Sequence, residues 1–167
     1  MVYGDIHQYC LDAIRELRQQ MYAEPQPLLL EYSEWPHFQA EFWLIAFVLR
    51  GDATWVAVGR ADFNGGIQEF KSMGLVCSDP YIRHWTRPLS EQELGRFSEI
   101  VHKLRAAYPF EQQEGIFLDG VLKSLLLQES EELPVVQSSW NMDSPEEAVQ
   151  ELVEWLEVLR LRRYMRG

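Results

Sequence analysis

The sequence predicts an α+β fold: an antiparallel sheet of meander and hairpins, three main helices packed against it, and the order α-β-β-β-α-β-β-α. Three observations predict it. Three stretches repeat apolar residues at three- and four-residue steps behind capping residues. Between them lie β-branched and aromatic runs separated by Gly, Asp, Asn and Pro. No internal repeat, linker or low-complexity segment divides residues 1–167, so a single α+β domain is expected to span them. With 47% hydrophobic and 13% aromatic residues, a chain of 167 residues can bury roughly 70% of its unfolded surface.

Taken in order, Asp5 is placed to cap a first helix. Its stripe is Ile6, Tyr9, Cys10, Ala13, Ile14, Leu17 and Met21, and Pro25 and Pro27 end it. A short apolar run over 28–30 leads to Tyr32, and Pro36 breaks whatever strand that makes. In EFWLIAFVLRGDATWVAVGRADFNGG, two β-rich runs flank Gly51-Asp52, and Asn64-Gly65-Gly66 follows as a second turn. The first run is apolar on both faces, which suits a central strand covered on both sides. A third strand is expected over 67–70, with a further piece over 75–77.

Ser90 and Glu93 form a capping box ahead of Leu94, Phe97, Val101, Leu104 and Tyr108, a helix that Pro109 stops. GIFLDGVLKSLLLQ then carries Asp119-Gly120 between apolar runs, a hairpin signal, with a helix from Val121 onward as the alternative. ESEEL reads as a loop and PVVQSSW as a strand. The last helix is SPEEAVQELVEWLE, where Ser144 caps, Pro145 takes the first helical position and Glu147 completes a capping box. Glu146, Glu147, Glu151, Glu154 and Glu157 fall within an arc of about 140°. Ala148, Val149, Leu152, Val153, Trp155, Leu156 and Leu159 fill the opposite arc.

The charge is unevenly placed. Residues 111–157 hold twelve acids and one base, Lys123, a balance of −11 that equals the net charge of the whole chain. Beyond them Arg160, Arg162, Arg163 and Arg166 reverse the sign. A field of this kind repels nucleic acid and anionic lipid and attracts basic partners. First-turn glutamates and late arginines suit the helix dipole. Five acids with no i,i+4 lysine among them do not serve stability, because like charges at that spacing cost about 0.2–0.5 kcal/mol per pair.

Motifs with chemistry are scarce. No G-x-S-x-G, phosphate-binding glycine loop or H-E-x-x-H occurs, and Asn64-Gly65-Gly66 reads as a turn rather than a nucleotide cradle. His7 and Cys10 could share a metal only if Cys77 and His84 converged on them, and Cys10 belongs to an apolar stripe. The expectation is therefore no catalytic residues, no metal and no cofactor. No secretion signal or apolar run of membrane-spanning length is visible, which reads as a cytoplasmic chain with two reduced core thiols.

One segment stands apart. SDPYIRHWTRPLS reads as a loop and concentrates Tyr81, Arg83 and Trp85, residue types enriched where partners bind.

IFLDGVL at 116–122, VVQSSW at 135–140 and the closing SPEEAVQELVEWLE resemble the cytosolic immunity proteins of bacterial polymorphic toxin systems. The resemblance implies a protein that binds a cognate toxin and blocks its active site or its substrate, often with an acidic surface against a basic nuclease-like domain. On that reading Glu129, Glu131, Glu132, Glu147, Glu151 and Glu154 meet the partner. Trp140 or Trp85 supplies a buried anchor, and Tyr81 and Arg83 stand beside it. An intracellular adaptor or chaperone-like module using the same surface is the alternative. An enzyme working through His84 and a nearby carboxylate is the third reading.

Overall fold

The computed structural model describes residues 1–22, 27–36, 41–110, 121–141 and 146–166. Asp5 accepts a 2.9 Å hydrogen bond from the His7 amide and starts α1 (Ile6–Met21). Tyr9, Cys10, Ala13, Ile14, Leu17 and Met21 are its buried stripe, as their spacing implies. The expected stop at Pro25 lies outside the described residues.

Six strands follow: β1 (Leu28–Pro36), β2 (Glu41–Arg50), β3 (Ala53–Asp62), β4 (Tyr81–Pro88), β5 (Val121–Leu127) and β6 (Val136–Asn141). They form one sheet in the order β4-β3-β2-β1-β5-β6, antiparallel throughout. Gly51, at φ 59°, turns the β2–β3 hairpin in a conformation that favours glycine. The helices after α1 are α2 (Asn64–Met73), α3 (Glu91–Ala107) and α4 (Glu147–Arg166).

Both faces of the sheet are covered, which is why β2 is apolar in every direction. On one face α3 and α4 pack over Leu30, Tyr32, Ile45, Phe47, Val56, Val58, Leu125 and Leu127. On the other, α1 packs over Phe42, Leu44, Ala46, Ala57 and Ala61, with Ile67 and Phe70 of α2 at its margin. Phe47 stands where three elements of the first core meet. Its ring stacks on Phe97 of α3 at 4.6 Å and on Trp155 of α4 at 5.5 Å between centroids.

Four sequence expectations change. Residues 67–70 are helical, and Asn64-Gly65-Gly66 opens α2 rather than turning a meander, so the described residues hold four helices where three were expected. The Asp62 carboxylate accepts from the Asn64 amide at 2.9 Å, an Asx-type turn that leads the chain from the end of β3 into that helix. A four-residue apolar run cannot by itself separate a strand from a helix turn. The segment read as a loop over 78–90 contains the strand β4, whose Pro88 is tolerated because, among the described residues, β4 pairs only with β3. Residues 75–77 add no strand, although Val76 bridges Tyr3. Cys77 is exposed, so only Cys10 is a core thiol. Residues 121–127 settle as a strand, while the Asp119-Gly120 turn before them lies outside the described residues.

The close approach of α1 and α2 supplies a test. A Cβ on Gly66 would fall 2.5 Å from Cζ and 2.7 Å from the hydroxyl oxygen of Tyr9, a ring that is only 1% exposed. Gly66→Ala is expected to destabilise the fold by about 2 kcal/mol in urea titration, since a rigid buried ring must move. Gly65→Ala, with open space around its Cβ, should instead be neutral or stabilising by up to about 1 kcal/mol. Equal responses from the two variants would show that the packing does not decide the outcome.

Candidate functional site

Two surfaces concentrate chemistry, and α4 touches both. Its inner stripe, Ala148, Val149, Leu152, Val153, Leu156 and Leu159, is buried on the sheet, which turns Glu147, Glu154 and Glu157 outward into solvent. The caps expected at Ser144 and Pro145 lie outside the described residues. Among the described residues none of these three glutamates makes an ion pair. Glu131 and Glu132 are likewise exposed in the β5–β6 loop.

Two of the expected partner-binding acids are engaged within the fold. Glu151 accepts from Arg96 at 2.7 Å and from Lys103 at 3.0 Å, both on α3. Lys103 and Arg96 together hold its carboxyl below the ordinary carboxylate range. Glu129 pairs with Arg105 at 2.7 Å, and the same guanidinium donates to the Pro134 carbonyl at 2.8 Å. That pair ties the β5–β6 loop to the end of α3. Trp140 is 5% exposed and packs against Tyr32, so it belongs to the core and offers no surface to a partner. The missing counter-ions of the acidic helix are thus partly on α3, fifty residues away in sequence and invisible to i,i+4 reasoning.

The second surface is a cleft of about 120 Å³ lined by Trp43, Val58, Gly59, Arg60, Arg83, Trp85 and Arg160. Sheet register builds it. Arg60 on β3 stands directly opposite Trp43 on β2 and opposite Arg83 on β4, and Val58 stands opposite Trp85. Arg160 enters from α4 and lies 4.8 Å above the Trp43 ring, while Arg60 lies 5.6 Å from the same ring. The carboxylates nearby are occupied. Glu41 and Asp62 hold Arg60 at 2.7 and 3.3 Å, and Glu34 receives the Tyr32 hydroxyl and lies 3.6 Å from Arg160. Arg60 nevertheless keeps its buried Nε without a hydrogen-bond partner. Arg83 makes no ion pair among the described residues, and its guanidinium lies 4.6 Å from the Tyr81 ring.

Sequence reasoning found Tyr81, Arg83 and Trp85 by residue type, and missed Trp43, Arg60 and Arg160. Alternation of Tyr81, Arg83, Trp85 and Arg87 on one face of a strand was the available signal. His84 points to the other face, opposite Gly59, and does not line the cleft. His7 stacks on Trp35 instead of meeting a ligand set. Among the described residues no three His, Cys, Asp or Glu side chains gather in a metal-holding group, and no helix is long and apolar enough to cross a membrane. Compared with protein-family models, curated proteins and solved structures, the chain matches none.

Proposed function

We propose that this chain is a non-catalytic protein-binding protein, an immunity or inhibitor protein whose acidic surface receives a basic toxin domain. The observation that carries the reading is the outer face of α4. There Glu147, Glu154 and Glu157 stand exposed and unpaired among the described residues, on a helix anchored by six buried apolar side chains. A firmly seated helix presents its charges without an ordering cost at the moment of association. Charge of one sign raises the encounter rate with a cationic partner and disfavours anionic ones. Glu131 and Glu132 extend the set of exposed acids, and the Arg105–Glu129 pair holds their loop in place.

The test is a charge reversal that avoids the internal pairs. Glu151→Lys would set a cation against Arg96 and Lys103 and disturb the fold, so Glu147, Glu154 and Glu157 are the residues to reverse. The triple lysine variant is expected to slow association with a toxin domain encoded by a neighbouring gene by about tenfold at low salt. Its association rate should also lose most of the salt dependence seen in the wild type, with thermal unfolding little changed. Rates and salt slopes equal to those of the wild type would remove the electrostatic basis of the proposal.

A further inference from the structure

The geometry points to the cleft between β2, β3, β4 and α4 as a binding site for a phosphate monoester, held by Arg60, Arg83 and Arg160 against walls of Trp43 and Trp85. This site is separate from the acidic face of α4 and does not depend on the role proposed for that face.

The first reason is an arrangement that stability alone does not favour. Arg60 and Arg83 are directly opposed on neighbouring antiparallel strands, and like charges so placed repel. Arg160 brings a third guanidinium to the same cavity. In a chain of net charge −11, with 26 acids and 15 basic residues, three arginines converge where no acid lines the wall. An anion between them would relieve that repulsion.

The second reason is unfilled donor capacity. Guanidinium groups offer planar forks of N–H donors that match phosphate and carboxylate oxygens. Arg83 has no carboxylate among the described residues, Arg60 gives one end of its fork to Glu41 and Asp62 but keeps a buried Nε without a partner, and Arg160 has only a 3.6 Å approach to Glu34. A single carboxylate is satisfied by one such fork. Three forks suit a group with about −1.5 to −2 charge and three acceptor oxygens, which is a phosphate monoester.

Size and walls define the rest of the ligand. The cavity of about 120 Å³ falls well short of the roughly 300–1,000 Å³ of sites that enclose a whole organic ligand. It takes the phosphoryl group and leaves the organic part outside. Trp85, half-buried on the edge strand, is the surface against which a flat ring on the ester would lie. Free phosphate and the phosphate of a nucleotide share the anchoring chemistry, and the experiment separates them.

The indole N–H signals of Trp43 and Trp85, assigned with Trp43→Phe and Trp85→Phe, report the cleft directly by NMR. The wild-type protein is titrated with inorganic phosphate and with adenosine monophosphate at constant ionic strength and about pH 8, where the monoester is dianionic. The expected result is a saturable shift of those two indoles, weakened about tenfold or more by Arg83→Gln and unchanged by Arg15→Gln on the far helix. Tighter binding of the nucleotide, by about tenfold, with the larger shift at Trp85, assigns an aromatic ester. Equal affinities assign the phosphate group alone. Should Arg83→Gln lose the native indole spectrum, Arg83→Lys keeps the charge, lacks the fork and carries the same comparison. Absence of a saturable shift for both probes up to roughly 20 mM, or shifts indifferent to Arg83, would overturn the assignment.

Discussion

Phe47→Ala is expected to lower the unfolding free energy by about 3–5 kcal/mol, a large share of the 5–15 kcal/mol that holds a domain together. Phe47 is fully buried in a central strand, and its ring touches the aromatic partner contributed by each of the two helices on that face. Truncation removes the transfer energy of the ring, leaves a cavity, and takes away its stacks on Phe97 and Trp155. Stacked aromatic pairs add about 0.5–1.5 kcal/mol each to what area alone contributes. Urea titration monitored by tryptophan fluorescence measures the loss. Phe47→Leu, which refills most of the cavity but gives up both stacks, should cost at least about 1 kcal/mol, less than alanine, and keeps the comparison available if the alanine variant does not fold. A loss below that figure for alanine would mean that the helices are held to the sheet by other contacts.

The second large effect is electrostatic and depends on pH. Glu93 is 8% exposed, and its two oxygens take the Arg87 fork at 2.7 Å each. It also closes the capping box, accepting from the Ser90 amide at 3.0 Å. The Arg87 guanidinium, with help from the Ser90 backbone, holds the Glu93 carboxyl well below the ordinary glutamate range, down to about 2. A carboxyl that ionises more readily in the folded chain stabilises it fully above its unfolded value of about 4.3. That stability drains away as the pH falls towards about 2. Glu93→Gln keeps a residue able to close the box and discards the charge, at an expected cost of about 2–3 kcal/mol near neutral pH. The gap between wild type and variant should narrow steadily between about pH 5 and pH 2. A gap that stays constant over that window would place the effect in packing rather than in the ion pair.

What the sequence disclosed, and what it hid, divides by the range of the forces involved. Asp5, the Ser90–Glu93 box and the stripe of α1 are local, and each lies where periodicity and capping chemistry put it. Along α3, Phe97 and Leu104 are buried as expected, but Leu94 and Tyr108 are exposed and Ile100 takes the core position. The two-sided burial of β2 was equally legible, because a strand with no polar face has to be covered on both sides. α2 was hidden because Gly65 and Gly66 imitate a turn. Gly66 is glycine for a different reason, the ring of Tyr9 lying against it. β4 was hidden by Pro88 and by its charges, which an edge strand accepts. The counter-ions of Glu151 come from a different helix, and the cleft joins residues from positions 43, 60, 83, 85 and 160. The register of β2, β3 and β4 brings the first four together, a property of the whole sheet, and the seating of α4 on that face adds Arg160.

The strand order has a consequence for how the molecule comes into being. β1 to β4 are sequential neighbours and can pair as each leaves the ribosome, whereas β5 must wait for α3 to carry the chain back across to β1. α3 reaches the face of Leu30, Ile45, Phe47, Val56 and Val58 first, but α4 follows every strand, so the cover of that face stays incomplete until the end of the described chain has been made. During that interval the half-built sheet offers an oily flank to anything nearby, and the helix that later seals it is the same one whose outer side carries the acids.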